Sequence, residues 1–277
     1  MTPVLQVENL RIGFRQDGRL VPAVRGLSFT VGKGETVALV GESGSGKSVT
    51  ALSTVGLLGE AAELEGSVRY AGRELVGASE PELRRVRGND ISFIFQEPMT
   101  SLNPLHTLER QLGESLALHQ GLRGQAARAR IVELLTRVGI RDPEQRLADY
   151  PHQFSGGQRQ RIMIAMALAN GPELLIADEP TTALDVTIQK QILDLLMTLQ
   201  EQTGMALILI THDMGVVAET ADRVQVQYKG RKMEEADVLS LFEAPKHPYT
   251  RALLSALPEN ATGDRLPTVG SFMEGAE

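Results

Sequence analysis

The chain has 277 residues, 42% hydrophobic and 23% charged, which suits a folded protein of one large or two modest domains. Its net charge of −7 argues against general affinity for DNA or RNA through phosphate neutralisation. The absence of cysteine excludes disulfides, thiolate zinc sites, cysteine-ligated iron–sulfur clusters and a cysteine nucleophile. Residues 1–13 lack the basic start and long apolar core of a signal peptide. No apolar run approaches the length of a bilayer span, 162–169 being among the longest, so any crossing of a membrane is expected to fall to another chain.

Residues 5–14 carry apolar side chains in partial alternation, and residues 21–31 do so again between turn residues Asp17-Gly18 and Gly32-Lys33-Gly34. Both read as short strands of an antiparallel sheet at the front. Phe14 has two readings, a ring that stacks on a base or a core aromatic of the hairpin. Thr36–Val40 is a short apolar run suited to a buried strand, and 49–58 can continue as a helix. Between them stands Gly41-Glu42-Ser43-Gly44-Ser45-Gly46-Lys47-Ser48, which fills every fixed position of the P-loop pattern. Strand, glycine loop and helix start together make an anion site, because backbone N–H groups converge and the helix adds partial positive charge. Gly44 and Gly46 let the backbone curl close to phosphates, Lys47 is placed to reach β- and γ-phosphates, and the Ser48 hydroxyl is placed to sit on Mg²⁺.

Residues 66–75 predict a further strand with a tight turn, and 91–95 a compact apolar strand ending in Gln96-Glu97-Pro98. The texture then changes to two helices, Leu108–His119 and 125–138, the second with Ile131, Leu134, Leu135 and Val138 on one face. This helical insert of some 55 residues is bounded by Pro98 and Pro151, and its six arginines between Gly121 and Arg146 read as a solvated face. Ser155-Gly156-Gly157-Gln158 precedes a helix over 159–169 and forms a second possible anion site. The apolar strand 174–177 runs into Asp178 and Glu179, the edge at which an α/β sheet presents ligand groups. Asp178 is expected to hold Mg²⁺, and Glu179 to polarise an attacking water. After a helix over Val186–Thr203 and a strand over 205–210, His212 stands at another strand end, in reach of a γ-phosphate.

These pieces, in this order, resemble the ATP-binding cassette family over about residues 4–258. The glycine loop matches the Walker A, Gln96 the Q-loop, Ser155 to Gln158 the signature, 174–179 the Walker B, Ala183-Leu184-Asp185 the D-loop and His212 the switch histidine; Phe154 stands where leucine is commoner. The run from Phe95 to Pro104, the run from Ala183 to Gln189, and His247-Pro248-Tyr249-Thr250-Arg251-Ala252-Leu253-Leu254 resemble the peptide/nickel importer branch. Residues 41–52, 84–89 and 105–122 are most similar to the first cassette of the fused, two-cassette Yej-type peptide (microcin C) importers. Two departures stand out. Without cysteine the chain cannot carry the C-terminal iron–sulfur cluster of many members, and it holds one cassette, either as a natural single-cassette protein or as half of a fused one. The segment 224–235 is also more polar than the usual strand pair there.

The resemblance implies an α/β fold: a P-loop NTPase core (1–96 and 156–240) with a front antiparallel β subdomain, an inserted helical signature subdomain (97–155) and a C-terminal extension (241–277). It implies ATP and Mg²⁺ as cofactors, with nucleotide held by Phe14, Gly41, Ser43, Gly44, Gly46, Lys47, Ser48 and Val49. Ser155, Gly156, Gly157 and Gln158 would close over the nucleotide of a second cassette. Glu179, His212 and Gln96 would be catalytic, and Ser48, Gln96 and Asp178 would hold the metal. The implied function is ATP hydrolysis that drives peptide uptake from the cytoplasmic face of the inner membrane. The implied partners are two multi-span permease subunits and, indirectly, a solute-binding protein, with no nucleic acid. The alternatives are cassette ATPases of DNA repair or translation. Against the first, Lys47 and Asp178 lie 131 residues apart without a long heptad stretch or cysteine; against the second, such proteins carry two cassettes and lack the peptide-importer motifs.

Overall fold

The computed structural model describes residues 2–96, 101–182 and 184–256. Glu97 and Pro98 of the Q-loop run, Ala183 of the D-loop motif and the tail from 257 lie outside the described residues. The chain forms two compact units, Met1–Gly77 with the described residues from Ile208, and Ala78–Leu207.

In the first unit, β1 (Leu5–Gln16) and β2 (Arg19–Val31) form a hairpin closed by Asp17 and Gly18, both at positive φ, as a tight hairpin turn requires. β1 also pairs with β4 (Ala62–Tyr70), which turns at Ala71-Gly72 into β5 (Arg73–Glu74), giving the antiparallel order β2-β1-β4-β5. Leu5, Val7, Leu10, Ile12, Val24, Leu27, Phe29 and Val31 bury one face of this sheet. A second sheet is built around β3 (Thr36–Val40), every residue of which is buried. Parallel to it runs β9 (Arg223–Tyr228), which hairpins into β10 (Arg231–Asp237). On the other side of β3 lies β8 (Ala206–Ile210), which belongs to this unit from Ile208, so the order here is β10-β9-β3-β8. Strands covered on both faces read as unbroken apolar runs, which is why β3 and β8 show no alternation. Ala38, Val40, Val224 and Val226 pack with Met214 and Val217 of helix α8 (Met214–Thr220), Leu241 of α9 (Val238–Glu243) and Tyr249 of α10 (Pro248–Ser255).

Helix α1 (Lys47–Ser53) is shorter than the 49–58 run predicts. The Ser53 and Thr54 hydroxyls donate to the Thr50 and Ala51 carbonyls, which competes with helix continuation. Gly56 then takes a left-handed φ of 63°, and the Leu57 N–H returns to the Leu52 carbonyl, a Schellman stop.

The second unit carries α2 (Glu80–Val86), β6 (Ile91–Ile94), α3 (Leu108–His119), α4 (Gly124–Arg137), α5 (Pro143–Arg146), α6 (Gly156–Ala167), β7 (Leu174–Asp178) and α7 (Val186–Thr203). β6 and β7 pair in parallel. Ile131, Leu134, Leu135 and Val138 are buried, as are Leu108, Leu112 and Leu116 of α3. Two arginines of the insert sit in ion pairs, the exposed Arg128 with Glu109 at 3.5 Å and the half-buried Arg130 with Glu133 at 2.7 Å. No helix among the described residues is long and apolar enough to cross a membrane.

Candidate functional site

At the end of β3 the chain turns into the loop 41–48. Gly41 takes a φ of 145°, and a Cβ there would lie 2.1 Å from the Gln227 carbonyl oxygen. Gly46 takes a φ of 98°, and its Cβ would meet the Ala23 carbonyl oxygen at 2.9 Å. Both positions therefore need glycine for backbone angle and for space. Lys47 is buried, with its ammonium folded inward: Nζ donates to the carbonyls of Gly41 (2.8 Å) and Glu42 (2.9 Å) and to Ser45 Oγ (3.3 Å). Ser43 and Gly44 are exposed at the rim, and Ser48 and Val49 half-buried at the start of α1. Phe14 is half-buried on β1, opposite Val21 and Ala62. His212 is exposed just after β8, and its neighbour Asp213 caps α8 by accepting from the Gly215 and Val216 N–H groups.

In the second unit β7 delivers Asp178 and Glu179. Asp178 is buried, 5% exposed, and Glu179 is half-buried. Glu179 has a φ of 46°, a left-handed conformation that is uncommon outside glycine and costs of order 1 kcal/mol or more. Gln96 Nε2 and Thr182 Oγ1 donate to its carboxylate, each 2.9 Å from Oε2. The Thr182 N–H closes the turn on the Glu179 carbonyl at 3.2 Å. Gln96 and Glu179, 83 residues apart in sequence, are thus brought together. The signature residues open α6 in a reciprocal capping box: Ser155 Oγ accepts the Gln158 N–H, and Gln158 Oε1 accepts the Ser155 N–H. The first-turn N–H groups of Gly156 and Gly157 have no partner within the helix itself, a disposition that suits an anion. Phe154, in the place of the commoner leucine, is buried under the Arg146 guanidinium at 5.5 Å.

Three contributors were missed in the sequence. Thr182 grips Glu179, Ser45 receives Lys47, and the Tyr249 hydroxyl accepts the Glu42 N–H at 3.3 Å. Thr182 is the position with a readable signal, a hydroxyl three residues after a strand-end carboxylate, in reach of it across one turn.

The donor set also bears on a metal. Among the described residues no group of three His, Cys, Asp or Glu side chains is arranged to hold an ion. A buried strand-end carboxylate such as Asp178 suits a hard cation that keeps waters and takes its remaining oxygens from substrate phosphates, as Mg²⁺ does.

The first unit carries a P-loop with a buried lysine and the second a restrained strand-end carboxylate, the features of nucleoside-triphosphatases of α/β architecture. Residues 24–182 match the family described as "ABC transporter", and residues 233–274 match "Oligopeptide/dipeptide transporter, C-terminal region". The chain belongs to the ABC transporter family. It is 58% identical over 93% of its length to the peptidoglycan transport ATP-binding protein YejF of Agrobacterium fabrum, of which it spans 47%. It is 51% identical, over 98% of its length and 83% of the relative, to a putative peptide import ATP-binding protein of Brucella abortus. With the dipeptide transport ATP-binding protein DppD of Bacillus subtilis it shares 53% over 93%, spanning 78% of that protein. Among solved structures it resembles a dimeric, post-hydrolysis ATP-binding cassette bound to ADP and Pi, with a TM-score of 0.75 and 29% identity over 84% of this chain and 98% of that one.

Proposed function

We propose that this chain is the ATP-binding and ATP-hydrolysing subunit of an importer that takes up peptides (di- or oligopeptides, or microcin-like peptides) across the cytoplasmic membrane, bound peripherally at its cytoplasmic face. The observation that carries the reading is a P-loop folded around Lys47 in the same chain as a strand-end Glu179 held by Gln96 and Thr182. The match of 233–274 to the oligopeptide/dipeptide transporter region supports the peptide part.

In this reading the backbone of Gly41, Ser43, Gly44 and Gly46, with Lys47, Ser48 and Val49, cradles the phosphates, and Phe14 stacks on the base. Ser48, Asp178 and Gln96 would hold Mg²⁺, which when bound draws charge from the β- and γ-phosphates. Glu179 orients a water and takes its proton as the water oxygen bonds to the γ-phosphorus. The bond from that phosphorus to the β–γ bridging oxygen breaks, releasing ADP and Pi. His212 steadies the γ-phosphate. Ser155, Gly156, Gly157 and Gln158 serve the nucleotide of a second cassette, whether a homologous subunit or a fused half. The helical subdomain 97–155 passes the motion to two multi-span permease subunits, which deal with any solute-binding protein. A cleft of about 550 Å³ in the second unit, lined by Arg84, Arg85, Arg87, Asn89, Leu118 and His119, supports this last role. Its cationic rim and exposed Leu118 suit an acidic, partly apolar permease segment.

The test is Glu179→Gln. The variant should bind nucleotide as the wild type does and lose turnover by about a hundredfold or more, the scale of a general base. Unchanged turnover would remove Glu179 from the mechanism.

A further inference from the structure

The peptide unit joining Gly41 to Glu42 is held on both edges. Its carbonyl, that of Gly41, accepts from Lys47 Nζ at 2.8 Å, and its N–H, that of Glu42, donates to Tyr249 Oη at 3.3 Å. A trans peptide points these two groups in opposite directions from one rigid plane, so turning the plane breaks both contacts together. Gly41, at a φ of 145°, is the place where such a turn meets least steric resistance.

Tyr249 itself is firmly seated. It is fully buried, and its ring lies 4.5 Å from that of Tyr228. Its N–H donates to His247 Nδ1 at 3.1 Å, and Pro248 occupies the first turn of α10. The Glu234 carboxylate accepts the N–H groups of Lys246 and His247 at 2.8 and 2.9 Å. Burial pushes the phenol pKa up to about 12, so the hydroxyl is neutral near pH 7 and can accept. None of these groups is needed to satisfy the P-loop pattern, and the segment comes from the far end of the chain.

We infer that Tyr249 is a positioning residue of the P-loop: through the Gly41–Glu42 peptide it fixes where Lys47 rests, and so couples the C-terminal His247-Pro248-Tyr249 turn to nucleotide affinity. The inference rests on the proposed nucleotide-binding role of the P-loop. An ammonium carries three N–H groups, and Lys47 directs its own at Gly41, Glu42 and Ser45, so it must exchange at least one contact to meet a phosphate. With the peptide clamped, the Gly41 carbonyl stays in place as the pivot of that exchange. With the hydroxyl gone, the plane can turn and the pivot is lost.

The experiment is calorimetric titration of MgADP into the 277-residue chain, its Tyr249→Phe variant and its Leu254→Ala variant, with thermal unfolding of each in the absence of nucleotide. Tyr249→Phe keeps the ring and removes one oxygen; Leu254→Ala leaves the hydroxyl and opens a cavity in the same core cluster. Tyr249→Phe is expected to raise the Kd for MgADP about fivefold, the value of one hydrogen bond. Leu254→Ala is expected to lower the unfolding midpoint further and leave Kd near the wild-type value. An unchanged Kd in Tyr249→Phe overturns the inference, and so does an equal rise in Leu254→Ala, which would mark general loosening. A wild-type chain that binds no MgADP would overturn the nucleotide reading, and this inference with it.

Discussion

At the end of β3 and at the end of β7 the backbone turns through positive φ, 145° at Gly41 and 46° at Glu179, yet the two turns are held in opposite ways. The P-loop is held from inside. Its lysine is buried, its contacts run to backbone carbonyls, and the Gln227 and Ala23 carbonyls leave no room for a side chain. The Glu179 turn is held from outside, by the side chains of Gln96 and Thr182, both exposed. The course of the P-loop is thus fixed by backbone and packing, whereas the Glu179 carboxylate is restrained by side chains that water can replace. The first arrangement puts its cost into stability when altered, the second into rate.

The sharpest way to break this contrast is Gly41→Ala. The new Cβ meets a backbone oxygen at 2.1 Å in a conformation that L-residues avoid, so the loop or its neighbours must shift. Destabilisation of about 3 kcal/mol or more is expected, combining overpacking with backbone strain, and is read by denaturant unfolding. A stable variant that binds nucleotide would show the loop to be as yielding as the Glu179 turn. Thr182→Val tests the other side with a smaller effect. It removes the Thr182 hydrogen bond to the Glu179 carboxylate, and turnover should fall about two- to fivefold with little change in unfolding midpoint. A loss of stability without a loss of turnover would make Thr182 part of the scaffold.

The smallest effect concerns pH. Burial alone would raise the Glu234 pKa, but the Thr250 side chain, then the Lys246 and His247 N–H groups and the charge of His247, outweigh it and hold the carboxyl below its ordinary value of 4.5. A depressed folded-state pKa stabilises above the unfolded value and loses that stabilisation as pH falls through the folded one. The anchor of α10 should therefore weaken only below about pH 4.5. Glu234→Gln should flatten the acid limb of the midpoint-against-pH curve and leave the slope near neutrality alone. An unchanged acid limb would show that Glu234 makes the same contacts in the unfolded chain.

Much of the first unit's frame was legible in the sequence, because β3 and the hairpin of β1 and β2 depend on local pattern and turn chemistry. Leu108–His119 and Val186–Thr203 could be bounded to the residue because each begins at a side-chain cap, Thr107 and Asp185. Short helices escaped. The seven residues of α2 and of α8 are too few to show a period, although Ser79 and Glu82 do spell a capping box. In β9 the alternation of Val224, Gln225, Val226 and Gln227 reads as one wet face, yet both glutamines are fully buried. Strand pattern reports polarity, and here both faces of the strand are covered. Of the proposed site, Lys47 and Ser48 are marked by the fixed spacing of the P-loop pattern, Asp178 and Glu179 by the end of an apolar strand, and Gln96 by the family resemblance alone. The hydrogen bond from Glu42 to Tyr249 could not, because nothing local marks contacts between residues 207 positions apart.

The discontinuity of the first unit has a consequence for biosynthesis. Thr36, at the head of β3, donates its N–H to the carboxylate of Asp222, 186 residues later, and β3 takes its parallel neighbour β9 from the same distant stretch. The unit Ala78–Leu207 is continuous and can compact as it leaves the ribosome. The strand that carries the P-loop must wait, apolar on both faces and without β9, until residues 223–228 have been made. The part of the first unit that precedes Ala78 is thus completed only after the second unit has been made, and nascent chains stalled before residue 223 should be the ones that chaperones hold.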